Sequence, residues 1–155
     1  MTTTTASQEI AALFVRDLAK LRQEVEAFGG EAKDQLWAAP PGVPNSAGNL
    51  ALHLEGNLRE FIGRQLGAIP YVRTRPLEFS TKNLPVAEIA ARIAALEQSI
   101  PPVIASLTAE TLDALYPEVV LGEPISTRRF LIHLHGHLTY HLGQINYLRR
   151  LLFGK

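Results

Sequence analysis

The sequence predicts an all-α protein, a four-helix bundle with a long crossover between its second and third helices. Three observations support this fold class. Apolar residues recur at steps of three and four in four long segments, which is the spacing of an amphipathic helix. Segments rich in Pro and Gly separate these stretches, and no sustained strand alternation occurs. The 155 residues, 46% hydrophobic and 19% charged, suffice for one packed core, so we predict a single domain over residues 1–155.

The first helix is predicted to run from Ser7 to Phe28. Thr5 and Gln8 have the spacing of a capping box at its start, and Gly29 with Gly30 supplies a stop at its end. Its inward face is predicted to consist of apolar residues at helical spacing: Ile10, Leu13, Phe14, Leu18, Leu21 and Val25.

The second helix is predicted from Ala47 to Leu66, after a loop rich in Pro and Gly around residues 38–48. Asn45 or Ser46 is expected to cap it. The stretch from Gly67 to Pro85 holds three prolines and is predicted to be a long crossover rather than a helix. The second helix has an apolar side and an unusual polar side, the latter comprising Asn49, His53, Asn57, Glu60 and Arg64.

The third helix is predicted from Val86 to Leu107, and the adjacent Pro101-Pro102 pair is expected to kink or interrupt it. Thr108 is expected to cap a short turn that reaches Leu115. Residues 116–125 are predicted to be extended or looped, with room for a small hairpin. Ser126 is expected to cap the last helix, which continues to Phe153.

Charge and cysteine content exclude several classes of function. Fifteen basic and fifteen acidic side chains cancel, which argues against nucleic acid or an anionic membrane as a partner. The chain has no Cys, so nitrogen and oxygen must bind any metal. The N-terminus lacks the pattern of a signal peptide, and no run of eighteen apolar residues occurs. We therefore predict a soluble cytoplasmic protein.

All five histidines fall in two of the predicted helices. At about 100° per residue, His133, His137 and His141 lie within a stripe of roughly 80° on the last helix. Residues four apart can bring two imidazoles to one metal ion. Tyr140 and Gln144 share this face.

His53 on the second helix is predicted to supply a third metal ligand beside His137 and His141. Three neutral histidines leave a divalent ion with open positions for water or substrate, as in catalytic sites. His133 has the same spacing from His137 as His141 has, so its role stays open. His135 points about half a turn away and is predicted to be a surface or interface residue. The alternative is a set of hydrogen-bonding histidines without a metal.

Two further residues are candidates for catalysis. Glu60 can act as a base or hold a ligand imidazole by a hydrogen bond, and its alternative role is an ion pair with Arg64. Tyr140 can donate a phenolic proton. Either residue can equally serve helix packing.

Substrate contacts are predicted from three other side chains. Asn57 and Gln144 are expected to orient water or substrate, and Arg73 in the crossover can bind a substrate carboxylate in bidentate fashion, as can Arg75. Simple surface solvation is the alternative for both arginines. Gly136 and Gly143 lie seven residues apart on one flank of the last helix and would allow the close approach of a second copy, which predicts a homodimer.

Three segments of the chain resemble the DinB-like superfamily of four-helix bundles, which includes proteins labelled as putative metal-dependent hydrolases. In that family one histidine of the second helix and an H-x-x-x-H pair followed by G-Q on the fourth bind the metal. The pattern maps onto His53, His137 and His141. The segments are NSAGNLALHLEGNLREF (residues 45–61), RTRPLEF (73–79) and HLTYHLGQINYLRRLL (137–152).

The resemblance implies a small metal-dependent enzyme, since characterised relatives include thiol-dependent S-transferases and a thiol-dependent isomerase. We expect one divalent ion, zinc or nickel before iron or manganese, because histidine nitrogens accept all of these. The expected partner is a small electrophilic substrate, together with a low-molecular-weight thiol if the reaction is an S-transfer. The alternative is a metal-binding or interaction bundle that catalyses no reaction.

Overall fold

The structure is a computed structural model that describes residues 3–153, except for the side chains of Glu31 and Ala32. All regular elements in this range are helical, with no β-strand. A 3₁₀ helix, Gly30–Trp37, follows the first α-helix. The α-helices are α1 (Ala6–Glu26), α2 (Ala47–Leu58), α3 (Arg75–Ser80), α4 (Val86–Ala105), α5 (Ala109–Asp113) and α6 (Thr127–Phe153).

Helix α2 does not end at its last α-helical residue. It continues through a π-helical turn, Arg59–Arg64, and a short α turn, Gln65–Gly67. The whole helical stretch therefore matches the predicted second helix. The hydroxyl of Tyr116 donates to the carbonyl of Phe61 at 2.7 Å, so the π turn is tied to the loop that follows α5.

The predicted helix caps are confirmed. The Thr5 side chain accepts a hydrogen bond from the backbone of Gln8, and the Gln8 side chain accepts one from the backbone of Thr5, which completes the capping box. Ser46, Thr108 and Ser126 each accept a hydrogen bond from the backbone N–H three residues further on. These caps satisfy backbone donors that the first turn of a helix leaves free.

The expected interruption at Pro101-Pro102 does not occur, because α4 continues to Ala105. The two prolines lie in the last two turns, so they remove only two backbone donors near the end of the helix. Ile100 and Ile104 on either side of them are fully buried. Packing of these apolar side chains offsets the missing hydrogen bonds.

The crossover between α2 and α4 is not free of helix, which corrects the prediction for residues 67–85. It contains α3, with Pro76 in its first turn, where a fixed φ suits the helix and the missing N–H costs nothing. The side-chain nitrogen of Asn49 donates to the backbone carbonyls of Glu78 and Thr81 at 3.0 and 2.9 Å. Asn49 is fully buried, so α2 fixes the end of α3.

The core lies between the four longest helical stretches. Helix α1 packs mainly against α4 and also against α6, while α2 contacts α3, α4 and α6. The apolar side of α2 faces the core, which directs its polar side toward α3 and α6. None of the helices within residues 3–153 is both long and apolar enough to cross a membrane.

Residues 116–125 form the predicted loop between α5 and α6. Isolated antiparallel bridges join Leu115 to Ser126 and Val120 to Glu123. The loop thus folds back on itself like a small hairpin, without forming a strand in the described chain. This brings Val120 and Leu121 near the polar side of α2.

Candidate metal centre

Three histidines from α2 and α6 converge on one point. The Nε2 atoms of His53 and His137 lie 3.1 Å apart, and those of His137 and His141 also lie 3.1 Å apart. The ligand atoms of all three residues lie within 4.8 Å of one another. Metal–nitrogen bonds of about 2.0–2.1 Å at a tetrahedral angle place two nitrogens about 3.3 Å apart. The group therefore has the composition and spacing to hold a metal ion.

Hydrogen bonds on the far side of two rings direct their lone pairs inward. Nδ1 of His53 contacts Oε1 of Glu78 at 2.9 Å, and Nδ1 of His141 contacts Oε1 of Gln144 at 2.7 Å. Both acceptors are oxygens, so each Nδ1 carries the proton and donates it. Nε2 of each ring is then unprotonated and free to bind a metal.

The Glu78 carboxylate is held by Arg73 as well as by His53. Arg73 Nε donates to Oε2 at 2.8 Å and Nη2 to Oε1 at 2.9 Å. Burial raises the pKa of Glu78, but the hydrogen bonds from His53 and Arg73 outweigh burial and bring that pKa below its ordinary value. Glu78 is therefore ionised at neutral pH and can only accept from His53.

Gly56 leaves the space that the Glu78 carboxylate occupies. A Cβ atom at this position of α2 would lie 1.9 Å from Oε2 of Glu78. Any side chain at residue 56 would have to displace the carboxylate from its place beside His53. A glycine one turn after His53 is thus part of how the imidazole is oriented.

Burial favours the neutral form of His137 and His141. Burial, together with the neighbouring His141 and His53, lowers the pKa of His137 to about 4. The pKa of His141 is lowered by burial too, although the hydrogen bond to Gln144 works in the opposite direction. Neutral imidazole is the form that binds metals, so proton competition at neutral pH is small.

Two buried polar atoms beside the centre have no hydrogen-bond partner within the described chain, Nδ1 of His137 and Oδ1 of Asn57. Asn57 lies one turn after His53 and is buried. A buried polar group without a partner costs free energy, and a bound water or ligand is the usual remedy. Asn57 therefore lies beside His53 and His137 of the three-histidine group, and its predicted contact with water or substrate stays a prediction.

The remaining histidines of α6 lie outside the three-histidine group. His133 is exposed, and its ring stacks on Phe130 with centroids 5.9 Å apart. His135 is half-buried, and its Nε2 contacts Oδ2 of Asp17 on α1 at 2.7 Å. His135 therefore joins two helices of the same chain, which differs from the surface or interface position expected for it.

Glu60 contacts Arg64 rather than any histidine. Nε of Arg64 donates to both oxygens of Glu60, at 3.1 and 2.9 Å, which is the alternative role considered from the sequence. The carboxylate beside His53 belongs to Glu78. The sequence places Glu78 in the predicted crossover and gives no reason to expect a contact with a histidine. Pro76, in the first turn of α3 and two residues before Glu78, is the feature of the sequence that could have predicted a helix here.

The structure also shows the surroundings of Tyr140 and Arg73, two residues predicted for catalysis and substrate binding. Tyr140 is 64% exposed, and its ring centroid lies 5.2 Å from that of His141. The guanidinium predicted to bind a substrate carboxylate, that of Arg73, is instead occupied by Glu78.

A cavity opens on each side of the three histidines. One, of about 450 Å³, is lined by His53 and His137 together with Asn57, Arg73, Arg75 and His133. The other, of about 630 Å³, is lined by His141 and largely apolar residues, including Tyr140, Tyr147 and Leu151. Both volumes are typical of small-molecule sites, and a larger cavity, of about 920 Å³, lies elsewhere, beside Trp37.

Comparison with known proteins supports the fold alone. No family model matches the chain. No curated protein matches it either. Among solved structures, a DinB-like protein from Bacillus cereus ATCC 10987 is similar, with a TM-score of 0.70 and 17% sequence identity over 92% of this chain and 89% of that chain. The expectation from the sequence segments is thereby confirmed at the level of architecture, and the chain has a DinB-like fold.

Proposed function

We propose that the protein binds one divalent metal ion through His53, His137 and His141 and acts as a small metal-dependent enzyme on a small electrophile. The convergence of the three Nε2 atoms, with 3.1 Å between neighbours, carries this proposal. Zinc or nickel fits the all-nitrogen ligand set, with iron or manganese as alternatives. The arrangement of the long helices as a four-helix bundle in a single domain belongs to the same proposal.

Hydrogen bonding among the histidines alone does not account for their arrangement. The protons of His53 and His141 are committed to Glu78 and Gln144, so both Nε2 atoms can only accept. A neutral His137 has one proton and can satisfy at most one of them. A single cation at the point of convergence satisfies all three lone pairs.

The chain itself supplies the orientation of the ligands and the environment of the reaction. Glu78 and Gln144 hold two imidazoles, and the flanking cavities give access from two sides. The ion would act as a Lewis acid that activates water or a small thiol. Because the chain has no Cys, any thiol must come from a second reactant.

Metal content is the first test. Protein purified without an affinity tag should contain close to one equivalent of a divalent metal, or take it up on titration after chelation. Traces well below stoichiometry, with no uptake of zinc, nickel, iron or manganese, would contradict the proposal. His141→Ala is the matched negative control, because it removes one ligand at the half-buried end of the group.

Turnover is the second test. Metal-loaded protein should be screened with small thiols plus electrophilic acceptors, and then with simple esters and amides. We expect activity that is lost on chelation and in His141→Ala. A stoichiometric metal without activity in either panel would favour the alternative, a metal-binding or interaction protein that catalyses no reaction.

A further inference from the structure

We propose that the cavity of about 450 Å³ beside His53 and His137 binds a small molecule that carries a carboxylate, and that Arg75 contacts this carboxylate. The inference rests on the proposed function, because the metal centre would hold the reactive end of the same molecule. It assigns a substrate class, a small organic acid, and a residue that selects it.

Stacked side chains place Arg75 at the metal centre. The Phe79 ring lies against His53 with centroids 5.0 Å apart, and the guanidinium of Arg75 lies 5.2 Å from the centroid of the Phe79 ring. Cation–π contact of this kind restricts a long side chain that would otherwise sample solvent. The exposed Arg75 is thus separated by one aromatic ring from His53, a proposed metal ligand.

The charge of the cavity favours an anion. Two arginines line it, and no Asp or Glu lines it within residues 3–153. Glu78 neutralises Arg73 through two hydrogen bonds, whereas Arg75 makes no ion pair in the described chain. Arg75 therefore carries the charge that remains available to a ligand, and its planar guanidinium suits a carboxylate.

The interior of the cavity also suits the body of a small organic acid. Phe61, Leu121 and Phe130 supply apolar surface, and the unpartnered Oδ1 of Asn57 can accept one hydrogen bond. This mixture of apolar surface and polar groups suits the apolar body and the polar end of a small organic acid.

Cobalt-loaded protein tests the inference with two thiols, one that carries a carboxylate and one that carries its uncharged methyl ester. We would titrate it with 3-mercaptopropionate and with the methyl ester of that acid, and follow the absorption that thiolate binding gives to cobalt. The acid should bind about tenfold more tightly than the ester, as a charged hydrogen bond in a partly buried site implies. In Arg75→Gln this ratio should fall toward one, while the affinity for the ester stays unchanged.

Arg150→Gln is the matched control, because Arg150 is an exposed arginine of α6 outside the cavity and its loss changes the net charge equally. It should retain the preference for the acid. Equal binding of acid and ester by the unaltered protein, or a preference that survives in Arg75→Gln, would overturn the inference while leaving the metal centre intact. Absence of cobalt binding would overturn the metal centre and the inference together.

Discussion

Neighbouring histidines of α6 lie in two different environments. His137 directs Nε2 toward His53, His141 directs Nε2 toward His137, and no carboxylate touches either ring in the described chain. His135, two residues before His137, directs Nε2 at Asp17 of α1, a carboxylate that is only 2% exposed. About half a turn of rotation on the same helix thus separates a candidate ligand from a residue that joins two helices.

The difference shows what makes a histidine available to a metal. At His135 an acceptor with a full negative charge occupies the nitrogen that a metal would need, and Phe14 packs against the ring with centroids 5.4 Å apart. At the three-histidine group the acceptors occupy only the outer nitrogens. We expect metal binding to depend on the three-histidine group, and the association of α6 with α1 to depend on His135.

The largest expected effect is loss of the metal in His141→Ala. Two histidines remain, and a pair from different helices leaves most of the coordination to water, so stoichiometric binding should disappear in a chelator competition assay. His135→Ala should keep full metal content, since its ring faces α1. Equal loss in the two variants would show that the environments are not distinct.

A smaller effect is expected from Glu78→Gln. The amide can no longer offer a charged acceptor to His53, and loss of such a contact typically reduces metal affinity about 10- to 100-fold. Glu60→Gln is the matched control, since Glu60 pairs with Arg64 and touches none of the three histidines. Competition titration of both variants separates the two carboxylates. An equal affinity in Glu78→Gln and the unaltered protein would remove Glu78 from the site.

Glu60 and Glu78 also show which parts of the site could be predicted from the sequence. Helical spacing predicts which residues share a face of one helix, and this sufficed for His137 with His141 and for the polar side of α2. It brought Glu60 into consideration because that residue lies on the same helix as His53. Glu78 reaches His53 only because α3 folds back onto α2, a tertiary contact over 25 residues that no periodicity encodes.

Local signals in the sequence predicted the helix ends well. They failed where tertiary packing determines the course of a helix or the partner of a side chain. Capping residues such as Thr5 and Ser46 act through neighbours three residues away, so they can be identified without a fold. The course of α4 through Pro101-Pro102 depends on the burial of Ile100 and Ile104, which the sequence alone does not reveal. The role of Arg73 changed for the same reason, since its partner Glu78 is set by the packing of α3.

The contact of Asp17 with His135 should contribute to stability and not to metal binding. Asp17→Ala removes the acceptor and leaves a half-buried imidazole without a partner, which typically costs about 1–3 kcal/mol. Urea unfolding should show this decrease in the free energy of unfolding, with unchanged metal stoichiometry. A loss of metal in Asp17→Ala would instead connect the two environments.

The contribution of Asp17 to the free energy of unfolding should depend on pH. A hydrogen bond from Arg16, the largest influence, and one from His135 hold the pKa of Asp17 below its ordinary value although burial opposes them. A carboxyl with a lowered pKa stabilises the fold fully above its unfolded pKa of about 3.9 and loses this contribution as pH falls through the lower folded value. The difference in unfolding free energy between the unaltered protein and Asp17→Ala should therefore be constant near neutrality and shrink below about pH 4.

Gly136, which lies between His135 and His137, should give the smallest effect. A Cβ atom here would meet nothing within 4 Å, so Gly136→Ala should raise the free energy of unfolding by about 0.5–1 kcal/mol through helix propensity alone. The matched substitution Gly56→Ala adds the same methyl group against Glu78 and should instead weaken metal binding.

If a second copy packs on the flank of α6, as predicted from Gly136 and Gly143, Gly136→Ala would weaken self-association in sedimentation analysis. A monomer with the expected gain in stability would leave that flank to solvent and place both histidine environments within a single chain.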